Sequence, residues 1–306
     1  MRTRAPQRGV AIVLAMGVVA LAALAAMAMM VSESTWARQV ELTDAHAQAR
    51  RLSQAGLDWA RAVLSDDRRA SSVDHLGEAW ALQLPPIPVE DGSLAGHLED
   101  EQGKFNLNNL LKDGQIDLAQ LGHFRRLLAI LALPPTLADA LADWIDADGA
   151  PQPQVGAEDA YYLSLKPGYL TANRPLSDLG ELALVRGFDD NVRRRLRPFV
   201  TALPRSTPVN VNTAPPEVIA AIIDKLGLDD ARAVVAMRQR TYFRGNPDFF
   251  SQLPRGLNAP NEEVSVSSDY FLVTMAVTIG DTEARGSALL DRASAGWPAT
   301  VWRKYP

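Results

Sequence analysis

"RGVAIVLAMGVVALAALAAMAMMV", residues 8–31, decides how the rest of the chain is read. From Val10 to Val31 it carries no charge and no strong helix breaker, only Gly17 among Ala, Val, Leu, Ile and Met. As a helix this run is about 33 Å long, enough to cross a hydrocarbon core of about 30 Å. Arg2, Arg4 and Arg8 precede it and the acidic Glu33 follows it. That arginine bias predicts a cytoplasmic N-terminus, with the bulk of the chain beyond the membrane.

A cleaved secretory signal has an apolar region of about 7 to 15 residues and a loop after it. Here the run is longer and the helical period continues. Leu42, Ala45, Ala49, Leu52, Gly56, Trp59 and Val63 recur at spacings of three and four, which predicts one packing face. Membrane helix and amphipathic helix are thus expected to form one rod. An ordinary signal-anchor accounts for all of this except Arg8-Gly9 at the border of the apolar run.

The chain has 306 residues, 47% hydrophobic and 22% charged, the composition of a folded globular protein with a real core. Its net charge of -5 supplies no overall pull toward nucleic acid. Cysteine is absent, which excludes disulfides and thiolate metal sites.

After Leu64 the period breaks into the polar stretch "SDDRRASSVDHLGE" and then the Pro-rich connection "LQLPPIPVEDG". Leu94, His97 and Glu99, then Phe105 and Leu107, alternate about Asp100 to Gly103, which reads as a hairpin of two short strands. From Gln115 to Phe250 the period is helical, with an internal echo starting at Leu128, Leu182 and Ile222. Each echo has an apolar helix tail, a Pro or Gly turn and a second helix. Strand alternation returns at Phe271, Val273, Met275, Val277 and Ile279, and "EARGSALL" can pair back beyond Gly280-Asp281. Strands flank a helical block, so the simplest topology inserts that block into a sheet packed on the N-terminal helix.

The densest acidic cluster is "DWIDADGAPQPQVGAED", which holds Asp143, Asp146, Asp148, Glu158 and Asp159. Carboxylates forced together repel one another, and a hard cation such as Ca²⁺, with six to eight oxygen ligands, relieves this. The spacing is not that of an EF-hand, since Pro151 and Ala157 stand where the loop Gly and the bidentate Glu belong. A solvated loop with helix caps explains the same residues. "TPVNVNTAPPEVIAAIIDKLGLDDARAVVAMRQR" resembles helix-hairpin-helix DNA-binding modules, but only Gly227 stands in its turn and nearby acids match its arginines. The run Arg193 to Arg197 reads as a solvated helix face. The four histidines lack zinc spacing, and there is no nucleophile elbow, Walker loop or dinucleotide fingerprint. Trp36, Trp59, Trp80 and Trp144 read as core or interface aromatics.

With "QRGVAIVL", "DEQGKFNLNN", "DWIDADGAPQPQVGAEDAYYLSL", "RPLSDLGELALVRGFD" and "VNVNTAPPEV" in this order, the chain resembles the K-type minor pseudopilins of bacterial type II secretion (GspK family) essentially end to end. The resemblance implies an α+β, type IV pilin-like fold with a large inserted all-α domain. The expected division is a leader at 1–9, a transmembrane helix at 10–31, pilin-like helix and first strands at 32–112, the inserted domain at 113–255 and the last strands at 256–306.

It further implies cleavage by a prepilin peptidase between Gly9 and Val10, N-methylation of the new terminus, and Ca²⁺ held among the five acidic residues. The implied location is the inner membrane, with the C-terminal domain periplasmic at the tip of the pseudopilus. The implied partners are the I- and J-type minor pseudopilins, the other pseudopilins and membrane lipid, with neither nucleic acid nor an enzymatic role. Other pseudopilins have Glu at the fifth mature position, where this chain has Leu14. An apolar residue there needs no charged neighbour, which suits a subunit placed first. The alternative is a membrane-anchored DNA-uptake protein that uses the helix-hairpin-helix echo.

Overall fold

The computed structural model describes residues 8–89, 92–152, 156–280, 282–293 and 296–305. Helix α1 (Arg8–Ala70) runs unbroken for 63 residues, about 95 Å at 1.5 Å per residue. The expected single rod is therefore present. It continues past Leu64 into the stretch expected to be loop, because Arg68 and Arg69 sit in its last turn, where cations complement the helix dipole. Every side chain from 11 to 33 is exposed, whereas burial begins at Ala45 and Ala49.

The strands are β1 (Leu84–Val89), β2 (Gly92–Asp100), β3 (Phe105–Asn106), β4 (Leu111–Lys112), β5 (Gln115–Ile116), β6 (Val200–Thr201), β7 (Val209–Asn210), β8 (Val264–Ser265), β9 (Tyr270–Ile279), β10 (Thr282–Asp291) and β11 (Ala299–Lys304). Five of them form an antiparallel sheet in the order β1-β2-β9-β10-β11. β9 and β10 make the expected terminal hairpin, pairing Ile279 with Thr282 through Tyr270 with Asp291. Gly280 takes φ +53 in its turn, a conformation open to glycine at little cost.

The other expected hairpin is misplaced. Gly92–Asp100 pairs back onto β1, so the Pro-rich connection is a strand, while Phe105 pairs in parallel with Val200. Proline is tolerated in β1 because β1 is an edge strand, where a missing N–H interrupts no central ladder. The residues between the two expected strands, Glu101–Gly103, form a 3₁₀ turn that leads the chain out of the sheet.

One face of the sheet packs on α1. Leu57, Ala60 and Leu64 meet Leu98, Phe271, Val273, Met275, Ala288 and Leu290, and Trp80 closes the end of this core. Each large side chain here contributes about 1.5–3 kcal/mol by leaving water. At the closest approach Gly56 faces Met275, whose Sδ lies 3.1 Å from the point a Cβ would occupy. Two members of the expected seam, Leu42 and Trp59, lie instead on the exposed side. The true line runs through Ala45, Ala49, Ser53, Gly56, Leu57, Ala60 and Leu64.

Between β2 and its neighbour β9 the chain makes a long excursion with its own core, from Phe105 to Val264. Its helices are α2 (Leu118–Ile130), α3 (Leu137–Ile145), α4 (Asp159–Leu163), α5 (Asp190–Leu196), α6 (Pro216–Ile222), α7 (Leu228–Arg238) and α8 (Asn246–Ser251). The expected bounds of the inserted domain, 113–255, fall inside this excursion. Two of the three echoes are α-helical pairs, α2/α3 and α6/α7. In the middle one a 3₁₀ segment, Leu179–Leu184, precedes α5.

Candidate functional site

The sequence-predicted acidic residues lie around the loop between α3 and α4. α3 is buried along its whole length, which fixes Asp143 in its last turn and Asp146 at its C-cap. Glu158 stands at the N-cap of α4, and Asp148 is exposed in the loop. One oxygen from each of Asp146, Asp148 and Glu158 can be chosen so that all three lie within 4.8 Å of one another. Asp146 Oδ1 and Glu158 Oε1 are buried and accept no hydrogen bond. Burial, then repulsion from Asp148 and Asp143, pushes the Asp146 carboxyl up to about 6. Burial, then the charges of Asp143, Asp146, Asp148 and Asp159, pushes Glu158 up to about 7.

The other two predicted residues are otherwise engaged. Asp143, with no exposed surface, accepts from the backbone N–H of Gln152 at 3.1 and 3.2 Å and so holds the loop. A Cβ at Gly156 would stand 2.2 Å from Asp143 Oδ2, so only glycine lets the chain pass there. Asp159 turns away and accepts from the N–H and hydroxyl of Thr171 at 3.0 and 2.7 Å, which hold its carboxyl below the usual range.

Two buried, unpartnered carboxylate oxygens beside a third carboxylate are an oxygen-only donor set. With ligands at 2.3–2.6 Å from calcium, opposite oxygens stand about 4.6–5.2 Å apart. The spacing therefore suits a hard cation.

Of the N-terminal positions, Gly9 and Val10 lie in the first turns of α1, and Leu14 follows with 65% of its surface exposed. Residues 1–7 of the expected leader lie outside the described residues. Further along α1, Trp36, Val40, Leu42 and Trp59 are also exposed, at different angles around the helix. Of the four tryptophans read as core or interface, Trp80 and Trp144 are core, and Trp36 and Trp59 are exposed on α1.

The sequence reading missed a buried polar joint where the excursion leaves and re-enters the sheet. Asp100, the last residue of β2, accepts from Gln102 N, Asn210 Nδ2, Thr213 Oγ1 and Ser268 Oγ at 2.6–2.9 Å. Gln102 Oε1 accepts from Asp269 N at 2.6 Å. Asn108 spans to Leu176 and Leu203, and Asn212 to both N–H and C=O of Phe243. Arg292, 3% exposed, pairs with both Asp67 and Asp74. The only signal of this joint was the unusual Asn and Gln content of "DEQGKFNLNN" and "VNVNTAPPEV".

The DNA-binding reading finds little support in this geometry. The turn before α7 bends at Lys225, with φ +66, while Gly227 has φ -72 and serves as N-cap. Arg232 is paired with Asp229, and Arg238 donates inward to the carbonyl of Val211.

A family model described as "Type II secretion system (T2SS), protein K" matches residues 103–205, and a second with the same description matches residues 209–267. The chain is 36% identical over 305 residues to the type II secretion system protein K of Pseudomonas aeruginosa, covering 96% of this chain and 91% of that protein. It is 33% identical over 316 residues to that of Klebsiella pneumoniae, covering 98% and 96%. A chain in the crystal structure of the GspK-GspI-GspJ complex from enterotoxigenic Escherichia coli superposes with a TM-score of 0.78 at 25% identity. The match covers 88% of this chain and 99% of that one.

Proposed function

From the premise that the chain belongs to the type II secretion system protein K family, we propose that it caps and helps initiate the periplasmic pseudopilus as a minor pseudopilin. In this reading it sits at the tip with the I- and J-type minor pseudopilins and performs no catalysis. The observation that carries the reading is the likeness over 99% of a chain from the GspK-GspI-GspJ complex. The arrangement has a physical logic. α1 offers exposed apolar side chains for packing among other pseudopilin helices, while the helical excursion adds bulk beyond the sheet that hinders another subunit from stacking above it.

Before assembly the apolar run at 10–31 holds the protein in the inner membrane, with the folded part periplasmic. The leader at 1–9 is removed after Gly9 by a prepilin peptidase and Val10 is methylated. Leu14, uncharged where a subunit lower in the filament needs an acid, suits the first position. Ca²⁺ is held by Asp146, Asp148 and Glu158, with Asp143 bracing the loop. The ion supplies positive charge that offsets the repulsion among these carboxylates.

Mass spectrometry of the membrane-extracted protein is expected to find N-methylated Val10 as first residue, and co-purification is expected to retain the I- and J-type partners. An intact Met1, or loss of both partners, would refute the assignment.

A further inference from the structure

A cleft of about 990 Å³ lies between α5 and the sheet face turned away from α1. Its floor includes Leu272, Thr274, Ser287 and Leu289, and Trp302 and Tyr305 close one end. Its wall is the arginine run of α5, of which Arg193, Arg194 and Arg197 line the cleft. The fourth, Arg195, instead donates to the carbonyl of Leu131 and ties α5 to the end of α2.

The charges of the cleft do not cancel. Its four carboxylates are all committed: Glu99 and Glu101 to Lys104, Asp178 to Lys304, and Asp190 to Arg193. Arg194 and Arg197 are exposed and pair with no carboxylate among the described residues, and Arg194 Nε donates only to the backbone carbonyl of Asp190, at 3.3 Å. In a chain of net charge -5, two guanidinium groups without a carboxylate partner, above a floor of mixed leucine and hydroxyl side chains, are a local excess of positive charge.

We infer that this cleft is a docking surface for an extended acidic segment of another protein, with carboxylates on Arg194 and Arg197 and an apolar side chain against Leu272 and Trp302. Guanidinium forks bind carboxylates bidentately, and Arg and Trp are the residues that concentrate binding energy at interfaces. A polyanion such as nucleic acid is the competing occupant, and the test below separates the two.

The test titrates the full chain in detergent with labelled heptapeptides that alternate glutamate and leucine, with glutamine-for-glutamate peptides as the neutral arm. Saturable binding of the acidic peptide is expected, weaker by about tenfold or more for the neutral one, the change that loss of a charge-assisted hydrogen bond brings. Arg194→Gln with Arg197→Gln is expected to bring the same loss, and charge reversal with Glu a larger one. Arg232→Gln with Arg240→Gln, outside the cleft, matches the charge change and should leave binding intact. Because Arg194 and Arg197 are exposed, the variants are expected to keep the wild-type melting temperature. Absence of saturable binding, equal binding by the glutamine variant, or tighter binding of a single-stranded oligonucleotide would overturn the inference.

Discussion

At Asp146 and Glu158 the fold holds two carboxylate oxygens out of water with nothing to donate to them. An unsatisfied buried acceptor costs about 1–3 kcal/mol, more when charged, so the loop is in deficit unless a cation or protons fill it. If Ca²⁺ fills it, a chelator is expected to lower the melting temperature of the wild type and added Ca²⁺ to restore it. Asp146→Asn with Glu158→Gln should abolish that response, and a calcium-dependent shift surviving in the double variant would remove these residues from the ligand set. Gly156→Ala is expected to lower calcium affinity through the loop, since its Cβ would collide with Asp143. The acidic character of this site was legible in the sequence. The separation of Asp146, Asp148 and Glu158 from Asp159 was not, because it depends on Thr171, which stands twelve residues along the chain from Asp159 and meets it only in the folded turn.

Between elements, the contact of α1 with the sheet rests on small residues as much as on large ones. Ala49, Gly56 and Ala60 let the helix axis approach β9 closely enough for Val273, Met275 and Val277 to be sealed. Gly56→Val is expected to cost about 1–3 kcal/mol by overpacking against Met275 and Leu94, read as a lower urea midpoint. Trp59→Ala, at a side chain half exposed in the monomer, should leave that midpoint within about 0.5 kcal/mol while weakening association with other pseudopilins. A large loss of stability in Trp59→Ala would place this residue in the fold rather than in assembly. The period of three and four made the rod readable but not its face. Trp59 and Leu42 fit the same period as Ala49 and Gly56, and only the position of the sheet selects between faces. The β9–β10 hairpin was readable because alternation and a Gly-Asp turn agree. The β1–β2 hairpin was not, since proline argues against a strand until its place at the edge is known.

For the molecule as a whole, the question is what keeps a long helical excursion aligned with the sheet that it interrupts. Arg292 follows β10, pairs with Asp67 on α1 and Asp74 in the loop after it, and donates to the carbonyl of Ser268 just before β9. One guanidinium thus ties rod, sheet and the return of the excursion. Arg292→Met leaves Asp74 buried without its cation, a change that typically costs about 3–5 kcal/mol. Faster hydrogen exchange at the start of β9 and in the loop at Asp74 is expected, with the centre of the helical core, around Leu141 and Ile219, protected as before. Uniform loss of protection across both cores would mean that they unfold as one unit.

The amino-acid sequence by itself determined the rod, the helical block between strands, the terminal hairpin and the acidic loop, because each rests on interactions between near neighbours in the chain: periodicity, turn residues, local charge. The family, too, was legible in five short motifs kept in order. Only the tertiary structure decided which face of the rod is covered, which carboxylates converge, and why those motifs are rich in Asn and Gln. Their side chains satisfy backbone groups far along the chain, Asn108 and Asn212 within the excursion and Gln102, 167 residues from Asp269, at a joint that exists only once β2 and β9 lie side by side. Hydrogen bonds of that kind leave no period in a sequence, since their spacing is set by the route of the chain and not by the repeat of any helix or strand.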